Sequence, residues 1–468
     1  MRIAFLCSEY EGLLKTGGLA DATRGLALAL QAQGHQVEVI LPRYASLYPQ
    51  AVADEWQSLY FQLGYQSFGC AIRHMQVEGI AVSLIEHHDF FQRERPYDDG
   101  QHPYADNSLR FAVFCKAALL YLQQQAEAVD VVHGHDWQTG LAACYLQGMR
   151  SGALRHSKFV LTVHNAAYQQ GIDRQALAQL DLHHWHIPVG MPLTHLALGV
   201  WQADAVNTVS PGYRDELLSE PAANGLSALY QARSQQFVGI LNGCDYTRWD
   251  PATDLSLPHR YSLDALAGKQ RCKTELRRQF QLADDARPLL VSVSRVTAQK
   301  GFDYLIPALH SWLEHASAQV LMMGTGEAQY INALHLLQQR YPDSFRFIEG
   351  FDDGLSHQIE AAGDFFLMPS LFEPCGLNQI YSLRYGTVPI VRSTGGLKDT
   401  VVDLTDKGAT GIRFDQPTSD ALLEALERAL ALFANSRKMN AVRKQGMRQV
   451  FDWHKAAAAY LEMYSQIK

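Results

Sequence analysis

The chain has no Cys-x-x-Cys, no Asp-x-Asp, no Gly-x-x-x-x-Gly-Lys-[Ser/Thr] loop and no apolar run long enough to span a bilayer. Each absence removes a class of protein. Seven scattered cysteines (Cys7, Cys70, Cys115, Cys144, Cys244, Cys272, Cys375) form no disulfide framework and no thiolate zinc site, and they suit a reducing compartment. The missing phosphate loop removes the P-loop nucleotide hydrolases, and the missing Asp-x-Asp removes the usual metal handle on a nucleotide sugar. The apolar run Ile3 to Cys7 is too short for a secretory signal and reads as a strand, so a cytoplasmic location is expected. A net charge of −8 argues against a general nucleic-acid binder. It leaves room for a small anionic ligand, because a few lysines and arginines can oppose the global sign locally.

What is present is a strand–helix rhythm. The 468 residues, 47% of them hydrophobic, suffice for two to three domains with a sizeable core. Strand Ile3–Cys7, a helix from about Leu19 to Gln33, Gly34 as its stop and strand Val37–Leu41 make one βαβ unit. Apolar runs before His133 and His164 continue the pattern. After an irregular connector, GCDYTRWD at 243–250, the rhythm restarts with strand Leu289–Val293. Strands Val320–Met323, Phe345–Ile348, Phe365–Met368, Pro389–Val391 and Gly411–Phe414 follow, with helices between them. The expectation is two α/β domains with parallel sheets, residues 1–243 and 244–451, and a closing helix at 452–468. In such sheets ligands bind beyond the carboxyl ends of strands, so the polar strand tips are the places to look.

Five tips stand out. Lys15-Thr16-Gly17-Gly18 joins a strand to a helix, where bare backbone, unpaired N–H groups and a lysine suit a phosphate. The bland account is a flexible turn. Arg295 and Lys300 follow a buried strand and could neutralise a leaving diphosphate, or simply be solvated. Glu373 follows the strand ending at Met368 and reads as standing before a helix with Pro374 in its first turn. It could cap that helix or hydrogen-bond sugar hydroxyls, with the N–H groups of Cys375, Gly376 and Leu377 holding further oxygens. His133-Gly134-His135-Asp136 is too compact for a metal cluster and reads as strand-end polar residues, while His164 ends a buried strand and is the better functional candidate. Gly324-Thr325-Gly326 imitates a dinucleotide fingerprint, but Gln329 stands where the third glycine belongs, so it reads as a tight turn.

Taken in order, KTGGLAD, HGHDWQ, TVHN, VNTVSPGY, LNGCDYTRWDPATD, SRVTAQKGFD, SLFEPCGLNQIYSLRYGTVPIVRSTGGLKDTV and FDWHKAAAAY resemble the glycogen and starch synthases over essentially the whole chain. The resemblance implies a GT-B fold: two Rossmann-like domains facing across a deep cleft, the last helix crossing back to the first. It implies an acceptor-side N-terminal domain and a nucleotide-sugar-binding C-terminal domain. It implies retaining transfer of glucose from ADP-glucose to the non-reducing end of an α-1,4-glucan, with no metal and no other cofactor. By motif match, Lys15, Gly17, Gly18, Arg295, Lys300, Cys375, Gly376, Leu377, Thr394 and Gly395 would bind the donor. Asp21 would orient the Lys15 loop, Glu373 would hold the donor glucose, His164 and Asp136 would position the sugar, and Asn242 would lie toward the acceptor.

The sequence departs from the family pattern in places. Tyr10-Glu11-Gly12-Leu13-Leu14 replaces a loop that often carries proline, Ala22 replaces a valine, and Tyr381 stands where related transferases have a second glutamate. UDP-glucose as donor, a small sugar as acceptor and a non-catalytic glucan-binding protein remain as alternatives. Primer need, chain-length preference and oligomeric state are left open.

Overall fold

The computed structural model describes residues 1–47, 55–315 and 317–467. The chain divides into two compact units, residues 1–243 with the C-terminal helix Trp453–Gln466, and residues 244–452. Lys468 lies outside the described residues, and Phe451 and Asp452 precede the helix rather than opening it.

The first unit is built on nine strands: β1 (Arg2–Leu6), β2 (Gln36–Pro42), β3 (Trp56–Leu63), β4 (Gln66–Val77), β5 (Ile80–Glu86), β6 (Val131–His135), β7 (Lys158–Val163), β8 (Ala205–Thr208) and β9 (Phe237–Gly239). They lie in the order β3-β4-β5-β2-β1-β6-β7-β8-β9. From β5 to β9 all neighbours are parallel. The edge departs from the expected all-parallel sheet, because β4 runs antiparallel to both β3 and β5. A two-residue turn, Gly64-Tyr65, joins β3 to β4, and such a turn can only join antiparallel strands.

Both faces of this sheet are covered. Ala4 and Leu6 face a core that includes Phe111, Phe114, Leu141 and Phe159, whereas Ile3 and Phe5 face one that includes Leu26, Leu30, Trp453 and Tyr460. The alternation along β1 is the period of two that a strand imposes. The helix Gly18–Ala32 reaches the C-terminal helix through Gly25, where a β-carbon would stand 2.1 Å from the Trp453 indole nitrogen. Below it, a buried polar chain ties the same helix to the sheet. Tyr464 Oη meets His133 Nδ1 at 2.7 Å, His133 Nε2 meets Thr162 Oγ1 at 2.7 Å, and Thr162 donates to Asn207, whose amide donates to Tyr460 Oη at 3.0 Å.

The second unit has a wholly parallel sheet: β10 (Leu289–Val293), β11 (Gln319–Gly324), β12 (Phe345–Glu349), β13 (Phe365–Met368), β14 (Val388–Arg392) and β15 (Ile412–Phe414). The order is β12-β11-β10-β13-β14-β15. Its strands reverse direction of build at β10/β13, the switch point where a crevice opens beyond the carboxyl ends. Gly324 and Gly326 are packing glycines. A β-carbon on either would lie 2.0–2.2 Å from the carbonyl of Ser294 or Val296. This is the tight turn expected, with no dinucleotide geometry required.

Candidate active site

In the second unit, three loops converge past β10, β13 and β14. Two glycines let them meet backbone to backbone. Gly301 (φ 80°) comes so close to Pro369 that a β-carbon would sit 1.9 Å from its carbonyl oxygen, and Gly395 (φ 43°) abuts the Glu373 carbonyl at 2.0 Å. Left-handed backbone and absent side chain are both needed at these points. The Gln299 carbonyl accepts from the Leu371 N–H at 2.8 Å, and its side-chain amide donates to the Phe372 carbonyl at 3.3 Å.

These contacts set Lys300 against Glu373. The ammonium lies 2.5 Å from Glu373 Oε2, and Ser370 donates to the same oxygen at 2.9 Å. Arg295, exposed, reaches Gln299 Oε1 at 3.2 Å. The tips of β10 and β13 therefore carry two cations and one buried carboxylate, whose Oε2 takes both Lys300 and Ser370. The sequence expectation for Glu373 needs a correction. The helix after it begins at Asn378, so Pro374 is not in a first helical turn and Glu373 does not cap that helix. Its Oε2 is held by Lys300 and Ser370 instead. Among the described residues, the Gly376 and Leu377 N–H groups find no acceptor within the protein. Cys375 is buried, and Thr394 forms the N-cap of the short helix Gly395–Thr400.

In the first unit, the tips of β1, β6 and β7 carry the remaining candidates. Lys15 lies 2.6 Å from Asp21 and 3.3 Å from Glu11. Burial alone would lower its pKa, but these two carboxylates outweigh burial and hold it above the ordinary lysine range. The loop itself is organised by a residue the motif did not name. Glu9, buried, accepts from the Thr16 N–H and hydroxyl, each at 2.6 Å, from the Gly17 N–H at 3.3 Å and from Tyr97 Oη at 2.8 Å. The Gly17 N–H is thus committed to Glu9. Gly17 itself is extended, and a β-carbon there would meet nothing within 4 Å. Neither backbone strain nor packing by the protein demands a glycine at that position.

Asp136 caps the loop after β7. Its Oδ1 accepts from the N–H of His164 at 2.6 Å and of Asn165 at 3.2 Å. Burial nevertheless dominates and pushes its pKa up to about 7. His164 is buried too, and burial holds its pKa down to about 3, so the ring is neutral. Its Nε2 meets His135 Nδ1 at 3.0 Å. His135 is the last residue of β6, at the strand end as the sequence suggested, whereas His133 lies inside the strand and serves the C-terminal helix rather than the tip. A separate cavity of about 880 Å³, lined by Arg2, Glu38, His74, Ser83 and Tyr121 among others, opens near the amino ends of β1 and β2, away from these tips.

A model of the starch synthase catalytic domain matches residues 2–232, and one of the group 1 glycosyl transferases matches residues 273–446. Glycogen synthases of Aeromonas salmonicida and Aeromonas hydrophila are 40% and 41% identical to the chain, each alignment covering 99% of it and 98% of the relative. The chain belongs to the glycogen and starch synthase family. The catalytic domain of starch synthase IV from Arabidopsis thaliana, bound to ADP and acarbose, superposes with a TM-score of 0.87 at 31% identity, covering 99% of both chains. A sucrose-phosphate synthase from Thermosynechococcus elongatus shares the fold at 18% identity, with a TM-score of 0.64. The two parallel-sheet α/β units are those of the GT-B type.

The family setting gives the departures a physical reading. Tyr381 is no substitute for a second glutamate. Its ring stacks on Trp249 at 3.8 Å and 2°, and Trp249 stacks on His357 at 3.7 Å. His357 in turn meets Asp254 at 2.7 Å, so this column fastens the 243–250 connector to the second unit. Asn242, the expected acceptor-side residue, is buried, and its Oδ1 has no protein partner among the described residues. Sequence reasoning missed Glu9, although a signal existed. Glu9 follows the apolar run of β1 by three residues, at a strand tip like the others that were singled out.

Proposed function

We propose that this glycogen and starch synthase family member takes glucose from ADP-glucose and adds it, with retention of configuration, to the non-reducing end of an α-1,4-glucan. The observation that carries the reading is the Lys300–Glu373–Ser370 cluster beside Arg295, at the switch point of a parallel sheet. Support for the adenosine donor comes from the Arabidopsis starch synthase, whose structure contains ADP, and support for the glucan acceptor from the relatives that are glycogen synthases.

In this proposal Arg295 and Lys300 hold the diphosphate and take up the charge that grows as the C1–oxygen bond breaks. The Gly376 and Leu377 amides, with Cys375, Thr394 and Gly395, hold further donor oxygens. Lys15 adds a cation, while Gly17 and Gly18 keep bare backbone beside the ligand. Glu373 binds a hydroxyl of the donor glucose. Lys300 and Ser370 both engage its Oε2, which leaves Oε1 to that hydroxyl. Transfer then follows a same-face route in which the departing phosphate oxygen receives the acceptor hydroxyl's proton as the new C1–oxygen bond forms. Asp136 and the neutral His164 position the sugar, Asp21 orients Lys15, and Asn242 offers its unpartnered oxygen toward the acceptor. No metal enters any of these steps.

Lys300→Ala tests the assignment. Losing one preorganised charge-stabilising group is expected to lower kcat by about a hundredfold or more. An unchanged kcat with ADP-glucose and glycogen would remove Lys300 from the role and the cluster from the centre of the mechanism.

A further inference from the structure

Among the described residues, Asp181, His183 and His184 are the one group of three His, Cys, Asp or Glu side chains whose ligand atoms all lie within 4.8 Å of one another. They sit in the first unit, on the loop that leads from the short helix Arg174–Leu177 to the helix His195–Gln202. We propose that this loop is a binding site for a divalent transition-metal ion of the zinc type, separate from the transfer reaction and from the strand tips that serve it.

Three observations carry the inference. First, the donor set is right for such an ion. Two imidazoles and one carboxylate suit zinc, nickel or copper, whereas magnesium and calcium prefer oxygen ligands throughout. Bonds of 2.0–2.1 Å on a tetrahedral ion put donors about 3.4 Å apart, against the 4.8 Å within which these atoms already lie. Second, the imidazoles are uncommitted. Among the described residues neither His183 nor His184 has a hydrogen-bond or ion-pair partner, and their ring contacts are with each other at 5.4 Å and with Trp185 at 6.0 Å. Asp181 gives one oxygen to Lys116, at 3.5 Å, and has the other to offer. Third, the loop is already held. Leu180 and Leu182, on either side of Asp181, are each 1% exposed. Tyr145 donates to the Leu180 carbonyl at 2.8 Å, and the Leu182 N–H donates to Leu177 at 2.8 Å. Binding therefore pays little to order the ligands. All seven cysteines are buried, so no exposed thiolate competes for the ion.

The fourth coordination position is left to water or an outside ligand, as in open zinc sites. An ion here would bind the 181–184 turn into one rigid piece just ahead of the helix that carries His195. The site does not depend on the donor or acceptor assigned above.

Equilibrium dialysis of the untagged full chain against Zn²⁺ tests the site. One equivalent should bind in the tightest class, undisturbed by a large excess of Mg²⁺. His183→Ala/His184→Ala and Asp181→Asn should each weaken that class at least tenfold, while His156→Ala, at another exposed histidine, should leave it unchanged. The substituted side chains are surface groups, so unchanged thermal midpoints of the metal-free variants confirm that the fold is intact. Absence of a saturable single equivalent, or an affinity in either ligand variant equal to that of the parent, would overturn the proposal.

Discussion

Asp136 shows what burial costs a single residue. Two backbone amides donate to its carboxylate, which favours the charged form, yet the loss of water wins and its pKa rises to about 7. The sign of the consequence follows. The folded state binds this proton more tightly than the unfolded chain, where an aspartate titrates near 4, so the side chain's contribution to stability is full below that value and is lost as pH rises through about 7. Asp136→Asn keeps an oxygen for both amides and removes the charge. Its thermal midpoint should gain on the wild type as pH increases from 5 to 8, and parallel curves across that range would refute the assignment. His164, held neutral down to about pH 3, adds a slope of the opposite sign, since the unfolded chain binds its proton below about 6.5, but wild type and Asp136→Asn share it and it cancels in their difference. Glu9 is the second residue whose environment predicts behaviour. Three of its hydrogen bonds hold Thr16 and Gly17 beside Lys15, and hydrogen bonds to a charged group contribute about 1.5–3 kcal/mol each. Glu9→Ala should cut kcat/KM for the nucleotide sugar by about tenfold or more, with partial recovery in Glu9→Gln. Steady-state kinetics on both variants separates this from a general loss of fold, which Gln would not rescue in kcat/KM alone.

At the scale of elements, the legible features were those with an apolar run and a sharp polar end. β10 and β13 coincide with their sequence reading, because both strands are buried on both faces and bounded by polar loops. The hairpin β3–β4 went unread. Its residues alternate irregularly between exposed and buried, and Trp56 and Tyr60 point outward where a core strand would show polar groups. Glu373 was misplaced for a related reason. Pro374 suggested a helix start, but the chain first makes an irregular crossing under Gly395 and Gly396, a long-range packing demand invisible in local spacing. Pairing of the C-terminal helix with Gly18–Ala32 was likewise hidden, since it depends on Gly25 making room for Trp453. Gly25→Ala should therefore destabilise the protein by about 1–3 kcal/mol through overpacking, despite alanine's better helix propensity. Urea unfolding followed by tryptophan fluorescence would show it as a lower midpoint; an unchanged or raised midpoint would mean that the indole moves aside freely.

At the scale of the whole molecule, two α/β units divide the work in different ways. The second gathers its charges at one switch point, where Lys300 meets a carboxylate and Arg295 stands on the same loop. The first spreads a cation, a buried aspartate and a neutral histidine over the tips of three strands. The order of motifs along the chain revealed the family because most of them sit at strand tips, and tips come in chain order. The partners of each motif residue were not legible, because Lys300 and Glu373 are 73 residues apart and meet only through the fold. The central claim is that this arrangement moves glucose from ADP-glucose onto a glucan. The most direct measurement supplies ¹⁴C-glucose-labelled ADP-glucose and UDP-glucose, each with and without glycogen, and follows label into polymer. The account predicts glycogen-dependent incorporation from ADP-glucose well in excess of that from UDP-glucose. Release of free glucose without polymer growth, or incorporation from UDP-glucose alone, would contradict it.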